Sequence, residues 1–373
     1  MTDAAVVGRI LREYHQAGVG PSGIRRLTGS VRGDRVTYRL AGPGGPGLVV
    51  RAFRMDVPLA GWLRGGETIA VTDWLSGRAA TLGWLEERAY PAPRVIRTHS
   101  GDPVGLAGIW ATLATTYVAG ASLRPDTDQL RLLGEALGRL HALDPGTGAG
   151  GTGAGGAGAG PVGAGGAGVA VERAPWHPET AIPAALGRLE AVESMIPADQ
   201  RPLLEQLRAA LLAVRQRARA LPTAVVHGDP WPGNAIRTAP DRVTLIDWEN
   251  AGLGMPLLDL GYCLLECHLD VGLPGDHPAA WHIRPDESRI AAVAAGYSRW
   301  RQLQPAEQDL LLEGIRFAAA FAGAIHLEQA LIGGVRGTPM DARLAWLRDR
   351  LAVSEAVAGL ARRHFSRGAH PVR

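Results

Sequence analysis

Lysine is absent from this 373-residue chain, so all 39 of its lysine-or-arginine positions are arginine. Asparagine is nearly absent as well, standing only at Asn234 and Asn250. With 50 Gly and 26 Pro, the depletion points to a base-compositional drive towards Ala, Gly, Arg and Pro. An asparagine kept in such a chain calls for a reason. Cysteine occurs twice, as Cys263 and Cys267. Two thiols four apart on an apolar helical stretch are too few for a zinc site, and His268 next door does not complete one. Buried core thiols are the expected reading. No run of ~18 uninterrupted apolar residues is present, so no transmembrane helix is expected. The first residues carry Asp3, Arg9, Arg12 and Glu13 without an apolar core, so no secretory signal is expected and cytoplasm follows by default. The net charge of +3 is too small to argue for a nucleic-acid partner, and no helix-turn-helix is legible. What remains is a soluble globular composition, 46% apolar and 20% charged, long enough for one large or two modest domains.

The informative stretch runs Val225-Val226-His227-Gly228-Asp229-Pro230-Trp231-Pro232-Gly233-Asn234 and resumes at Val243-Thr244-Leu245-Ile246-Asp247-Trp248-Glu249. It reads as a short strand, a Gly/Pro-rich loop and a β-hairpin with its turn over residues 238–242. Pairing Ile236 with Leu245 sets Asn234 opposite Asp247 at the open end of the hairpin, at the roughly 4.5–5.5 Å separation of opposed strand residues. An amide oxygen and a carboxylate so placed can grip one hard divalent cation, with water and phosphate completing its shell. Asp229 lies on the loop leading into the same end, where a base for a substrate hydroxyl would be needed. Alone, a His-Gly-Asp turn is weak, because Gly and Asp populate turns for local reasons.

The D-x-x-x-x-N spacing from Asp229 to Asn234, followed by a strand and Asp247, is that of the protein-kinase catalytic loop. With His-Gly-Asp in front, Ile-Asp-Trp-Glu behind and Asp259 in Gly254-Met255-Pro256-Leu257-Leu258-Asp259-Leu260-Gly261, the chain resembles the aminoglycoside phosphotransferase and choline kinase-like family. The resemblance implies an α+β, protein-kinase-like two-lobe fold: a small antiparallel β N-lobe over residues 1–118 and a larger, mostly helical C-lobe over 119–373. It implies a small-molecule kinase, a phosphotransferase using ATP (or GTP) and Mg²⁺. In that frame Asp229 is the base, Asn234 and Asp247 hold the metal, and His227 braces the loop. Asp259 supports the loop from below, and Glu249 either meets substrate or backs the metal ligands.

Taken in order, residues 3–17 read as a helix, and 24–28, 35–40 and 48–53 as three strands. The loop over residues 29–34, with Ser30 and Gly33, is the candidate nucleotide flap, although by itself it is an ordinary hairpin turn. Arg51 falls where kinases carry the strand lysine on the α/β-phosphates; its planar guanidinium makes the exchange significant. On the helix expected over 69–88, the position of the partner glutamate holds Arg78. The usual Lys–Glu pair therefore cannot form, and Glu86 or Glu87, near the helix end, is the expected substitute partner of Arg78 or Arg51. A β-like run over 109–118 resembles the hinge, making Thr115, Thr116 and Tyr117 cofactor neighbours. A helix over 127–143 follows, with His141 as a packed helix-end histidine. Residues 146–170 are almost all Gly and Ala and are expected to be disordered. Helices are then expected over 182–196, 201–221, 257–270, 286–303, 306–333 and 340–365.

The acceptor is the least legible part. The resemblance implies a small hydroxylated molecule: an aminoglycoside-like antibiotic, an amino alcohol or a sugar. A polycation would want clustered acids, for which Glu249, Glu266, Asp270, Asp276, Asp286 and Glu287 are candidates against the plainer reading of solubilising charge. Trp281, His282, Trp300, His326 and Trp346 are pocket candidates against the plainer reading of core packing. The alternative function is a pseudokinase, a nucleotide-binding interaction module without transfer activity, motivated by Arg51 and Arg78.

Overall fold

The computed structural model describes residues 3–14, 23–29, 34–41, 47–56, 70–144, 171–218, 221–269, 283–332 and 340–367. Candidates Ser30, Gly33, Asp270, Asp276, Trp281, His282 and the segment 146–170 lie outside them.

The N-terminal part is one antiparallel sheet between two helices. Helix α1 (Asp3–Glu13) precedes strands β1 (Ile24–Gly29), β2 (Arg35–Leu40) and β3 (Leu48–Arg54). Helix α2 (Val71–Glu87) follows, then β4 (Val95–Ile96), β5 (Val104–Ala107) and β6 (Trp110–Thr116). The sheet runs β1-β2-β3-β6-β4, with β5 also on β6. Alternation sends Val36, Tyr38, Val50 and Ala52 towards Val7 and Ile10 of α1. Phe53, Ala111 and Leu113 go to the other face, against Trp74 and Leu75 of α2. Phe53 and Trp74 meet edge to face at 4.9 Å. Helix α1 ends earlier than the expected residue 17.

The rest is mostly helical around one large core. Strand β7 (Ala121–Ser122) leads into α3 (Thr127–His141), α4 (Pro178–Glu193) and α5 (Arg201–Arg217). Strands β8 (Ala224–Val226), β9 (Ala235–Ala239), β10 (Arg242–Leu245) and β11 (Gly252–Gly254) carry the loop region. They are followed by α6 (Pro256–Glu266), α7 (Glu287–Ser298), α8 (Pro305–Asp309), α9 (Leu311–Leu331) and α10 (Met340–Arg367). The single helix expected over 306–333 is thus two. Glu307 is drawn back to the Gln304 N–H at 3.0 Å and to Arg301 at 2.9 Å, and the backbone leaves helical geometry at Leu310 (φ −99°, ψ 11°). Helices α3 and α7 cross closely because glycines line the contact: a Cβ at Gly134, Gly138 or Gly296 would strike the facing helix backbone.

The hairpin register is one residue off the expectation. Thr244 pairs with Ile236 and Leu245 with Ala235, the slip arising at an irregularity between Arg242 and Val243. Ile246 N–H accordingly bonds Asn234 O at 2.9 Å, and Asp247 lies beyond the ladder. Its left-handed backbone (φ 67°, ψ 58°) turns the chain there, a conformation uncommon for a residue other than glycine.

Candidate active site

Strand β8, buried throughout and paired with β11, delivers the chain to His227. The next amides need acceptors, and one buried carboxylate supplies both: Asp259 accepts from His227 N–H and Gly228 N–H, each at 2.8 Å. Gly228 has φ 81°, and a Cβ there would meet Asn250, so glycine is required. Asp259 also contacts His141 Nε2 at 3.1 Å, while His141 Nδ1 lies 3.0 Å from the Tyr297 hydroxyl. Arg301 donates to that hydroxyl at 2.9 Å. The Asp259 carboxylate only accepts, so His141 presents Nε2–H to it, and the bare Nδ1 of the neutral ring accepts from the Tyr297 hydroxyl, whose oxygen takes the Arg301 N–H. Burial pushes the His141 pKa down, in keeping with that neutral ring.

His227 is neutral by the same logic. Its Nδ1 accepts from Asp229 N–H at 3.3 Å, its Nε2 lies 2.9 Å from Ile246 O, and burial lowers its pKa. The ring packs edge-on against Trp248 at 4.6 Å. This ties the loop before Asn234 to the strand before Asp247.

Asn234 donates its side-chain amide to Asp229 Oδ2 at 2.7 Å and to Asp229 O at 3.1 Å. Tyr262 of α6 hydrogen-bonds the same carboxylate. Burial, and then the negative charge of Asp247, push the Asp229 pKa up to about 8. Asp247 keeps an exposed carboxylate edge, 37% accessible, and takes Arg51 Nη2 at 3.1 Å. Arg51 Nε also reaches Glu249 at 3.2 Å, and Arg35 Nη1 reaches Glu249 at 2.6 Å. Two arginines of the N-terminal sheet therefore clasp the residues just past β10. Burial raises the Glu249 pKa, with Arg35 and Arg51 opposing that rise.

Asn234 spends its N–H on Asp229, which leaves its carbonyl oxygen as an acceptor. That oxygen and the exposed Asp247 carboxylate are a hard donor set suited to a divalent cation that takes its other ligands from water and phosphate. Among the described residues no three His, Cys, Asp or Glu side chains form a ready-made metal cage.

The structure thus brings together Asp229, Asn234, Asp247, Arg51, Glu249, His227 and Asp259. Thr116 and Tyr117 sit at the end of β6 with their amides engaged: Thr116 N–H bonds Arg94 O at 2.9 Å and Tyr117 N–H bonds Gly47 O at 3.0 Å. The Tyr117 ring lies 3.7 Å beneath the Arg39 guanidinium. Arg78, 2% exposed, faces Glu172 at 3.6 Å, an acid that no reading of the α2 sequence suggests. Glu86 and Glu87 pair instead with Arg94 and Arg88. The described acids do not converge: Glu266 pairs with Arg350, Asp286 caps α7, and Glu287 meets His364 and Arg363. His326 and Trp346 pack on each other at 4.7 Å, and Trp300 is exposed. Both cysteines are buried free thiols. Tyr262, Arg35, Glu172 and the His141 link to Asp259 were missed. Only Tyr262 had a signal, lying three residues after Asp259 on one helix face.

An antiparallel sheet lobe joined to a helical lobe, with a His-Gly-Asp loop held from below by a buried aspartate, defines a kinase-like phosphotransferase fold. Residues 75–308 match the phosphotransferase enzyme family (APH), and the chain belongs to that family. A homoserine kinase of Hyphomonas neptunium is 24% identical over 237 residues, covering 61% of this chain; the chain spans 62% of that relative's length. Among solved structures, the amicoumacin kinase hAmiN in complex with AMP-PNP, Ca²⁺ and Ami superposes with a TM-score of 0.64 at 14% identity, over 95% of this chain and 94% of that one. A choline/ethanolamine kinase family protein from Mesorhizobium loti gives 0.55 at 19% identity, over 97% and 98%. Among the described residues no helix is long and apolar enough to cross a membrane.

Proposed function

We propose that the protein transfers the terminal phosphoryl group of ATP to a hydroxyl of a small molecule. The observation that carries this reading is the Asp229 carboxylate, held by Asn234 and Tyr262 beside Asp247. Asp229 accepts the hydroxyl proton as the oxygen forms its bond to phosphorus and the bond to the leaving nucleoside diphosphate breaks. Asn234 and Asp247 are the residues that would hold Mg²⁺, which when bound offsets charge on the phosphate oxygens. Neutralising Asp247 also removes the largest charge effect that raises Asp229, favouring its base form. Arg51 is placed to trade its contacts with Asp247 and Glu249 for phosphate oxygens. His227 and Asp259 keep the loop in shape, and Glu249 holds Arg35 and Arg51 against the cleft. The nucleotide and divalent ion in the amicoumacin kinase complex support the cofactor assignment. The homoserine kinase and choline/ethanolamine kinase relatives support a small hydroxylated acceptor, whether amino alcohol, hydroxy amino acid, antibiotic or sugar.

The test is ADP release from Mg²⁺-ATP across a panel of these acceptors. One observation favours a second reading: both phosphate-facing sides of Arg51 are already engaged by acids. A nucleotide-free interaction module would show neither ADP release nor a thermal shift with Mg²⁺-ATP, whereas the transferase shows both.

A further inference from the structure

We propose that the acceptor carries an anionic oxygen group, a carboxylate or its equivalent, received by Arg350 and Trp346 on the inner side of Tyr262. The inference rests on the phosphoryl-transfer reading and narrows the acceptor of that same site.

Helix α6 connects the two places. Tyr262 bonds the Asp229 carboxylate, and one turn further on the same face stands Glu266, 3% exposed. Its partner is Arg350 of α10, 2% exposed, whose Nη2 donates to both Glu266 oxygens at 2.7 and 2.8 Å. That leaves the guanidinium only partly used. Arg350 Nε and Nη1 are buried and have no partner among the described residues. Trp346, one turn earlier on α10 and 7% exposed, lies 4.0 Å beneath the same guanidinium, and its indole Nε1 is likewise buried without a partner.

All three atoms bear hydrogen, and none can accept a hydrogen bond. Buried donors in native proteins are normally satisfied. A set made only of donors, one of them cationic, calls for an acceptor-only ligand such as an oxyanion, and guanidinium suits a planar carboxylate. The charge balance points the same way. Among the described residues, two of the acids that would greet a polycation are taken, Glu249 by Arg35 and Arg51 and Glu266 by Arg350. Tyr262 and Glu266 stand four residues apart on α6, so the Glu266–Arg350 pair lies one turn along the helix from Tyr262. One helical turn is ~5.4 Å of rise, so the acceptor is short, its hydroxyl and its anionic group separated by a few carbons.

The experiment compares matched acceptors on the wild-type protein with Mg²⁺-ATP: L-homoserine against 3-amino-1-propanol, and 4-hydroxybutyrate against its amide. In each pair the acid is expected to show a kcat/KM higher by at least ~10-fold, about 1.4 kcal/mol. Calorimetric titration of the same pairs gives the comparison without turnover, the acid binding tighter by the same factor. Arg350→Gln is expected to erase the preference for the acid within each pair, the ratio of kcat/KM for acid over neutral partner falling at least ~10-fold whatever the variant's overall rate. Arg348→Gln, on the exposed side of α10, leaves that ratio unchanged. Equal efficiency within the pairs, or preference for the partner lacking the carboxylate, overturns the inference and leaves phosphoryl transfer standing. Absence of ADP from every acceptor together with absence of a Mg²⁺-ATP thermal shift overturns both.

Discussion

A carboxylate that is to take up a proton must be held in place without a cation pairing it. Asp229 meets this with two partners that donate but carry no charge, Asn234 and Tyr262. Replacing it by alanine removes the proton acceptor and leaves the Arg51 side of the cleft intact. Turnover in Asp229→Ala is expected to fall by about 10²–10⁴, with the Mg²⁺-ATP thermal shift retained; unchanged turnover would remove Asp229 from the mechanism. Asp259 is a different kind of residue, since it touches only the backbone and a histidine. In Asp259→Asn one oxygen becomes an amide that faces an N–H, so a donor meets a donor. The lost charge-assisted bond and the buried clash should cost about 3 kcal/mol, read as a lower urea midpoint. Activity falls with it because the His227–Gly228 turn loses its anchor.

Elements show which parts of the site were legible. The spacing from Asp229 to Asn234 and the strand before Asp247 are local patterns, and the structure brings those residues to one place. The hairpin register was misread by one residue because a bulge at its turn end leaves no mark in an apolar alternation. Asp247 returns to the site through its own left-handed backbone, not through a strand position. Partners distant in sequence were illegible for a plainer reason: nothing near Arg78 signals Glu172 beyond the Gly/Ala segment, and nothing near His141 signals Asp259 or Tyr297. The crossing of α3 and α7 belongs to this scale, since it sets Tyr297 against His141. Gly296 packs on the Arg131 carbonyl with no room for a methyl group. Gly296→Ala should therefore force the helices apart, costing about 1–3 kcal/mol, and calorimetry should show Tm lowered by several degrees. An unchanged Tm would mean that α7 slides without penalty.

Over the whole molecule, two sets of buried groups oppose each other in pH. Burial lowers His141 and His227, and lowers His268 and His326 to about 4. In the unfolded chain these rings protonate near 6.5. Below that value the unfolded state binds more protons, so stability present above ~6.5 is lost as pH falls towards 4, each ring contributing up to ~1.4 kcal/mol per pH unit. Asp229 acts with the opposite sign: its pKa is raised to about 8, so the folded state holds a proton that the unfolded state has released. Its contribution is complete at low pH and is lost as pH rises towards 8. The histidines contribute little above ~6.5, where Asp229 still titrates and by itself removes at most about 2 kcal/mol up to pH 8, with the raised carboxyls of Glu249 and Glu266 acting in the same sense. In buffer free of divalent ions, urea unfolding at a series of pH values should give a stability maximum near pH 6–7. Asp229→Asn should flatten the limb above it and steepen the acid limb, because between pH ~4 and ~6.5 the Asp229 proton opposes the histidines. If stability instead climbs steadily from pH 6.5 to 8 in the wild type, the Asp229 carboxyl is ionised in the folded protein and its environment is more polar than burial beside Asp247 requires.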